Sequence, residues 1–247
     1  MRADPFSQLR LLDLQALDTG LSQLAHRRRC VPQVAQLAEM DTRAAQLRDR
    51  DVAVRTTVFD LDREMRRAEG DVAQVRERIA RDQRMLDAGS VSSARQLGDL
   101  QHEIANLAKR VIDLEDAELE VMEKLDDAQG RATEVAGQIA ELDQARTTAG
   151  RERDAAFAEI DAETVRVQGE RDRVVAEIPA DLLALYDKIR AGAGGLGAAP
   201  LHRGRCQGCQ LTMPPADLAR IRSAAPDEVV RCEECRRILV RTDESGL

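Results

Sequence analysis

Four cysteines near the C-terminus form two C-x-x-C pairs, and they are the residues of this chain best suited to chemistry. The pairs are Cys206-Gln-Gly-Cys209 and Cys232-Glu-Glu-Cys235, with 22 residues between them. Thiolates are soft anionic ligands, and a two-residue spacer lets both sulfurs of a pair face one ion. The spacing therefore predicts one tetrahedral Zn²⁺ site held by all four side chains.

Such a site is structural rather than catalytic, because four protein thiolates leave no open coordination position for water or substrate. Disulfide pairing is the main alternative. The rest of the chain, however, has the features of an intracellular protein, in which paired cysteines usually bind metal. The first residues contain no apolar stretch typical of a signal peptide, and no run reaches the length of a membrane span. We therefore expect a cytoplasmic protein.

The composition indicates long helices rather than a broad globular core. Aromatic side chains make up 2% of the 247 residues, whereas charged side chains make up 33%. A broad core normally uses aromatic bulk, so the apolar surface is expected in narrow seams between helices. The net charge is −8, and the acidic excess lies before residue 196. An acidic surface of this kind repels nucleic acid.

Two long segments place their apolar residues at alternating spacings of three and four. Between Leu37 and Leu86, thirteen of fifteen seam positions are apolar, and between Leu97 and Leu142 thirteen of fourteen are. Uninterrupted heptads of this length are typical of coiled coils. The polar exceptions are expected to set the register of the helices rather than to bind a ligand. They are Asp51, Asp82 and Glu118.

The connection between these segments predicts a hairpin. Gly89 can end the first helix, and Ser93 with Gln96 can begin the next. A connection this short makes the two helices antiparallel. Both arms contain weak helix sequence at similar distances from the turn, near 28–32 and near 147–153, so we predict a kink there. An N-terminal helix that begins after Asp4 is expected to pack along residues 157–178.

The predicted fold is therefore mainly α: a long antiparallel coiled-coil hairpin, kinked near its base, followed by a small C-terminal four-cysteine zinc ribbon. Residues 1–178 form the hairpin in this prediction, with its tip near 88–93. Residues 179–195 form a short docking helix and a glycine-rich linker, and residues 196–247 form the ribbon. Within the ribbon we expect a helix over 216–223 and strands at 229–230 and 238–240.

Two further motifs need interpretation. Residues 192–197 match G-x-G-x-x-G, but no strand precedes them, so we interpret them as a linker or a loop entering the ribbon rather than as a nucleotide site. Four arginines flank the cysteine pairs: Arg203, Arg205, Arg236 and Arg237. They either form a basic edge that binds a partner or nucleic acid, or neutralise the anionic metal centre. Residues 196–247 contain no aromatic side chain on which a base could stack.

The residues that follow the hairpin carry a family resemblance. They are Ile178-Pro179, Leu182-Leu183, Tyr186, Ile189, a glycine-rich link and Pro214-Pro215 between the two cysteine pairs. This arrangement resembles the bacterial four-cysteine zinc-ribbon proteins with an N-terminal coiled coil. The resemblance implies a cytoplasmic, non-enzymatic protein whose zinc ligands are the four paired cysteines. Some members are associated with flagellar or secretion-system assembly as partner-binding or chaperone-like proteins, and nucleic-acid binding by the ribbon has been proposed.

The chain departs from the family pattern directly after each cysteine pair. Gln210 and Arg236 stand at these positions, the second of them in place of the usual glycine. We expect a non-enzymatic, zinc-binding adaptor or chaperone-like scaffold that presents its ribbon and hairpin tip to a protein partner. The alternative is DNA or RNA binding through the ribbon arginines. Three scattered histidines and a closed metal site offer no nucleophile–base pair for an enzyme. The sequence leaves open the identity of the partner and the choice between monomer and homodimer.

Overall fold

The computed structural model describes residues 1–90 and 93–247. Its helices are α1 (Pro5–Arg29), α2 (Pro32–Asp87), α3 (Ala94–Ala176), α4 (Ala180–Gly192) and α5 (Pro215–Ser223). Its strands are β1 (Ala198–His202), β2 (Arg205–Cys206), β3 (Val230–Arg231) and β4 (Ile238–Val240). The chain divides into two compact units. We call Gln36–Ala149 the hairpin unit, and Met1–Ala35 with Gly150–Leu247 the ribbon unit.

The hairpin unit is the coiled coil that the seam positions predict. One buried cluster joins Ala44 and Leu47 of α2 to Leu142 of α3, with Met40 and Ile139 packed against it. Further seam residues are buried along both helices, among them Val72, Val121, Ala128 and Val135. Narrow seams of small and aliphatic side chains therefore hold this unit together, and aromatic bulk is not needed.

Asp51 has an ion-pair partner within its own helix, whereas the buried Asp82 Oδ2 makes no hydrogen bond with the described residues. Asp51 binds Arg55 one turn further along α2, at 2.8 Å. Asp82 is buried, and its carboxylate lies 4.0 Å from Arg78 Nε. Both contacts favour the structural interpretation of these residues, since a polar seam position specifies register at some cost in stability.

The ends of the long helices follow the predicted signals. Gly89 has a φ of 61°, and the N–H of Ser90 donates to Met85 O at 3.3 Å, so α2 ends in a left-handed cap. At the start of α3, Ser93 Oγ accepts a hydrogen bond from the N–H of Gln96 at 3.2 Å. Residues 91 and 92 of the predicted tip lie outside the described residues.

Only one of the two segments predicted to have weak helix sequence interrupts a helix. Helix α1 ends at Arg29 and α2 begins at Pro32, so the first arm is interrupted where the sequence indicated. Helix α3 continues without a break through 147–153. A kink at these positions therefore stays a prediction. None of the described helices has the length and apolar character that crossing a membrane requires.

In the ribbon unit, the strands form one sheet in the order β2-β1-β4-β3. Strand β1 runs parallel to β4, whereas the outer pairs β1–β2 and β3–β4 are antiparallel. The parallel pairing joins the chain before the first cysteine pair to the chain after the second. The sequence analysis did not predict β1, because Ala-Ala-Pro-Leu-His contains none of the β-branched or aromatic residues typical of strands.

The sheet and the neighbouring helices share one hydrophobic core. Leu11 and Leu14 of α1, Tyr186 of α4, and Ile238 and Val240 of β4 belong to the same buried cluster. The N-terminus adds backbone contacts to the ribbon, since the N–H of Ala3 donates to Asp227 O at 2.8 Å. The zinc ribbon is therefore built into the helical base and is continuous with its core.

Candidate metal centre

Four sulfur atoms converge at the ends of the two cysteine pairs, which we call the first knuckle (206–209) and the second knuckle (232–235). All four ligand atoms lie within 4.8 Å of one another. Across the knuckles, Cys206 Sγ lies 3.9 Å from Cys235 Sγ, and Cys209 Sγ lies 3.9 Å from Cys232 Sγ. Sulfurs bound tetrahedrally at about 2.3 Å from one ion are about 3.8 Å apart. A disulfide needs about 2.05 Å, so the sulfur spacing fits a shared metal ion.

The two knuckles have the same backbone hydrogen bonds. In each knuckle, the N–H of the first cysteine donates to the carbonyl of the residue five positions later in the chain. The residue four positions after that cysteine donates its own N–H to the carbonyl of the cysteine. These bonds measure 2.8–3.0 Å, and they join Cys206 with Leu211 and Gln210, and Cys232 with Arg237 and Arg236. The four ligands are therefore positioned by two equivalent turns.

Each turn places a non-glycine residue in the left-handed region. Gln210 has a φ of 63° and Arg236 a φ of 61°. This region favours glycine because a Cβ crowds the neighbouring carbonyl. The resemblance described above implies a glycine at the position of Arg236, and the positive φ found there is a conformation that glycine adopts without steric cost. The departures from the pattern keep the turn geometry and strain the backbone.

The arginine before each knuckle supports its turn from outside. Arg205 Nε donates to the carbonyl of Gln210, and Arg231 Nε donates to the carbonyl of Arg236 at 2.9 Å. Arg231 was missed by the sequence analysis. The equivalent position of an arginine directly before both cysteine pairs was the signal that could have identified it.

The guanidinium of Arg237 makes its hydrogen bonds within the ribbon unit. Its guanidinium donates to three carbonyls, those of Leu196 (3.0 Å), Ala193 (2.7 Å) and Gly208 (3.2 Å). The side chain is half-buried and ties the first knuckle to the loop at 193–197. Of the two interpretations of residues 192–197, the loop entering the ribbon describes the structure. Arg237 therefore acts within the fold and does not present its charge to a partner.

The other three arginines of the predicted basic edge are exposed. Arg203 lies in the turn between β1 and β2 with a φ of 47°. Arg205 supports the first knuckle, as described above. Arg236 forms an exposed ion pair with Glu233 at 3.4 Å. Of the four arginines predicted to form a basic surface, three therefore remain exposed. Two of these, Arg205 and Arg236, already contact other residues of the ribbon.

The metal-free thiols differ in acidity. Burial raises the pKa of Cys206 to about 12, although two backbone N–H groups of its own knuckle favour the thiolate. Burial also raises the pKa of Cys232. At Cys235 burial acts in the same direction, but the N–H and guanidinium of Arg237 and the neighbouring thiols outweigh it and lower the pKa to about 7. A divalent cation supplies the charge that favours four thiolates at once.

The fifth cysteine lies apart from this centre. Cys30 is exposed at the end of α1, where its sulfur lies 3.5 Å from His26 Nε2. Among the described residues, only the four knuckle cysteines form a cluster of three or more metal-ligating side chains.

A buried polar network fixes the base on which the ribbon stands. Asp18 of α1 is 1% exposed, and it accepts hydrogen bonds from Tyr186 Oη and Arg171 Nε, each at 2.7 Å. Gln15 Oε1 accepts from the N–H of Gly197 at 2.7 Å. The network thus connects α1, α3, α4 and the start of β1. The sequence analysis missed Gln15 and Asp18, since polar residues on a helix give no sign of burial by themselves.

Comparison with known proteins places the chain in a family. Residues 14–194 match the CT398-like coiled coil hairpin domain, and residues 205–239 match the C4-type zinc ribbon domain. The chain belongs to the CT398-like coiled-coil hairpin family, with a C-terminal four-cysteine zinc ribbon. The expected fold is confirmed, and the four-cysteine cluster is a metal-binding site.

Relatives match over nearly the whole chain. An uncharacterized protein of Mycobacterium tuberculosis strain H37Rv is 38% identical over 243 residues, covering 98% of both chains. An uncharacterized protein of Mycobacterium leprae is 33% identical over 221 residues, covering 90% of this chain and 94% of that one.

Solved structures show the same fold. A Mycobacterium smegmatis structure superposes with a TM-score of 0.85 at 34% identity and covers 98% of this chain and 100% of that one. CT398 from Chlamydia trachomatis gives a TM-score of 0.69 at 16% identity, covering 96% of this chain and 98% of that one. At that identity the likeness to CT398 concerns the fold alone.

Proposed function

We propose that the metal at this centre is Zn²⁺ and that its role is structural. Soft thiolates at 3.9 Å spacing suit a small tetrahedral ion, and four protein ligands close its coordination shell. The sheet around the site is short, since β2 and β3 have two residues each. Metal binding, worth roughly 10–16 kcal/mol in small zinc modules, provides the stability that such strands cannot.

We propose further that the protein is a non-enzymatic adaptor or chaperone-like scaffold that binds a protein partner through the ribbon unit. The observation that carries this proposal is a groove of about 500 Å³ between α1 and the ribbon. Leu12, Ala16 and Gly20 line it on the helix, and Leu196 and Pro200 line it on the ribbon. Small and apolar walls of this kind suit an apolar peptide segment.

The groove also indicates the chemistry of the partner. A second cavity of about 580 Å³ shares Leu12 and Pro200 with the first and reaches Asp243 and Glu244. An apolar segment that carries a basic residue matches this combination, because charge complementarity at the rim of an interface aids association and selects partners. The residues that line the two cavities offer amides, carboxylates, the hydroxyls of Thr19 and Thr242, and one histidine, His202.

Photo-crosslinking in the native host tests this surface. A photoreactive amino acid replaces Ala16 in the groove or, as a control, Val165, which is exposed elsewhere on the ribbon unit. We expect Ala16 alone to capture a defined protein. That protein is then purified, and its affinity is measured for the wild type and for Gly20→Arg. Gly20 lines the groove, and a Cβ there meets nothing within 4 Å, so an arginine can be introduced at the groove without a clash at its Cβ.

Two results decide the test. Capture at Ala16 but not at Val165, with affinity reduced roughly tenfold or more by Gly20→Arg, supports the adaptor proposal, because a charge in an apolar contact is costly. Equal capture at both positions, or an affinity that Gly20→Arg does not change, contradicts it.

Nucleic-acid binding is the alternative to a protein partner, and it can be measured directly. Fluorescence anisotropy with labelled DNA and RNA at low and physiological salt compares the wild type with Arg203→Ala/Arg205→Ala/Arg236→Ala. Arg237 stays in place because it holds the fold. Salt-sensitive binding that the triple variant loses would replace the adaptor proposal. A role in flagellar or secretion assembly remains an expectation from the family resemblance.

A further inference from the structure

The two knuckles carry all four metal ligands, but the sheet does not pair the strands that lead into them. Strand β2 enters the first knuckle and β3 enters the second, and the order β2-β1-β4-β3 places these strands at opposite edges of the sheet. Ladder hydrogen bonds therefore join each of them to a central strand and not to the other. The distance between the knuckles, on which a shared metal ion depends, has to be fixed by further contacts.

Arg237 reaches from the second knuckle to the first. Its carbonyl accepts the N–H of Cys232 at 3.0 Å and so closes the turn of the second knuckle. Its Nη1 donates to the carbonyl of Gly208, which lies between the two ligands of the first knuckle, at 3.2 Å. One residue thus belongs to the turn of one knuckle and is hydrogen-bonded to the backbone of the other.

The first knuckle has a glycine where the stem of this arginine crosses it. A Cβ at Gly208 would lie 2.8 Å from Arg237 Cδ and 3.0 Å from Ala199 Cβ. A side chain at this position would therefore push the arginine away from the first knuckle. The two knuckles are in close contact here as well as hydrogen-bonded.

The guanidinium of Arg237 is also held from the side of the helical base. Its Nε and Nη2 donate to the carbonyls of Leu196 and Ala193, at 3.0 and 2.7 Å. The loop that contains these carbonyls is joined to α1, because Gln15 Oε1 accepts the N–H of Gly197 at 2.7 Å. A planar guanidinium with three carbonyl partners is restricted to one orientation. The arginine can therefore act as a rigid connection between the knuckles.

Arg237 lies beside one of the ligands as well. Its backbone N–H and its guanidinium both face the sulfur of Cys235. Four thiolates around one divalent ion leave a net negative charge, and N–H groups directed at a coordinated sulfur stabilise that charge and orient the ligand.

We propose that Arg237 is the positioning residue of the metal centre. It holds the two knuckles at the separation at which four sulfurs reach one ion, and it thereby controls how tightly the ion is retained. The inference rests on the proposed four-thiolate Zn²⁺ site and adds to it a residue that is not itself a ligand. Replacement of residues that orient metal ligands typically lowers metal affinity about 10- to 100-fold.

Positioning requires the shape of the guanidinium and not its charge alone. Lysine keeps the positive charge of Arg237, but a single ammonium cannot bind three carbonyls that surround a planar fork. Arg237→Lys should therefore have the same effect on the metal as Arg237→Gln, which removes the charge. If Arg237 acted only by neutralising the thiolates, the lysine variant would retain the metal as the wild type does.

The absorption of the Co²⁺-loaded full-length protein and the release of Zn²⁺ from the same protein test this role. The wild type should give the spectrum of a tetrahedral site with four thiolates, and both Arg237 variants should change its d–d bands. On addition of excess EDTA, both should lose zinc about tenfold faster than the wild type or more. Gly208→Ala, which displaces the stem of Arg237 without changing any charge, should act in the same direction.

Two controls distinguish positioning from a general loss of stability. Arg236→Gln removes the same charge from the adjacent, exposed residue and should leave the Co²⁺ spectrum and zinc release unchanged. Tyr186→Phe weakens the ribbon unit at the contact with Asp18 and should likewise leave the Co²⁺ spectrum unchanged. Circular dichroism checks that each variant keeps its helicity.

The outcomes separate this inference from the metal assignment on which it rests. A wild-type Co²⁺ spectrum that does not correspond to four thiolates contradicts the assignment itself. A four-thiolate spectrum and slow zinc release that Arg237→Lys and Arg237→Gln leave unaltered overturn the positioning role alone. Spectral changes of the same size in Tyr186→Phe also overturn it, since lost stability would then account for them.

Discussion

Gln210 and Arg236 occupy equivalent positions, each directly after a cysteine pair and each with a φ close to +60°. Each N–H donates to the carbonyl of the first cysteine of its knuckle, at 2.8 and 2.9 Å respectively. The metal site therefore depends on two backbone conformations that these side chains disfavour.

Relief of this strain is expected to stabilise the ribbon. Arg236→Gly should raise the free energy of unfolding by about 0.5–1 kcal/mol, because glycine adopts positive φ without steric cost. The lost ion pair with Glu233 is exposed and offsets little of this gain. Gln210→Gly should be closer to neutral, since the Gln210 side chain also donates to Gln207 O at 2.8 Å.

Chemical denaturation of the zinc-loaded protein measures both effects. The control is Glu234→Gly, in the same knuckle but outside the residues with positive φ, and it should destabilise the protein. A lower unfolding free energy for Arg236→Gly than for the wild type would contradict the strain argument.

The adjacent arginines of the second knuckle should respond differently to the same conservative change. Arg237→Lys should lower the unfolding free energy by about 1–3 kcal/mol, because one ammonium cannot reach three carbonyls and leaves part-buried acceptors without partners. Arg236→Lys should change it by less than about 0.5 kcal/mol, as is usual for exposed positions. Thermal unfolding of the two variants makes the comparison, and equal effects would rule out the structural role of Arg237.

Single substitutions distinguish the four cysteines that bind the metal from Cys30, which does not. Cys206→Ser and Cys232→Ser should each abolish stoichiometric zinc, whereas Cys30→Ser should retain it, since Cys30 lies outside the cluster. Elemental analysis gives the zinc content. Hydrogen exchange should show loss of protection in the sheet and in α1 and α4, which share its core, and little change in α2. Loss of zinc in Cys30→Ser would show that the ligand set is different.

Tyr186 allows an optical test of the buried network, because it is the sole tyrosine and the chain has no tryptophan. Burial and the hydrogen bond to Asp18 raise the pKa of Tyr186 well above its ordinary value. Above about pH 10 the unfolded chain therefore releases a proton that the folded chain retains, and stability falls as pH rises. Tyrosinate absorbance should appear only as the protein unfolds.

The variant Tyr186→Phe removes the hydroxyl but keeps the ring. It should cost about 1–3 kcal/mol at neutral pH, since the buried Asp18 carboxylate loses the hydroxyl that donates to it at 2.7 Å. The part of the alkaline instability that depends on tyrosine should disappear. A tyrosine that titrates near pH 10 in the folded protein would show that the network does not hold it.

The ring of Tyr186 leaves no room for a side chain at Gly197. A Cβ at Gly197 would lie 2.7 Å from the ring of Tyr186 and 2.8 Å from its carbonyl oxygen. Gly197→Ala should therefore destabilise the protein by about 1–3 kcal/mol through overpacking. Gly192→Ala is the matched control at the end of α4, where a Cβ meets nothing within 4 Å. Similar melting temperatures for the two variants would contradict the close packing at Gly197.

Much of this fold was readable because its signals are local or periodic. The heptads of α2 and α3 repeat a spacing that a helix must bury on one side, and Gly89 and Ser93 act within a few residues of themselves. Each C-x-x-C pair forms a turn of its own, so the four ligands and the zinc ribbon could be predicted from the spacing of the cysteines.

The tertiary structure decided what depends on contacts between distant segments. Strand β1 forms because β4 pairs with it, although its own residues are poor strand formers. The sequence left open whether Arg237 lies on a basic edge or neutralises the metal centre, and the loop at 193–197 decided its place by bringing carbonyls to its guanidinium. Gln15 and Asp18 became core residues only when α4 and the ribbon covered α1. Sequence alone determined which segments are helical and which sulfurs share a metal, since both are short-range properties. Burial of a polar side chain depends on what packs over it, and that is settled only when the whole chain is folded.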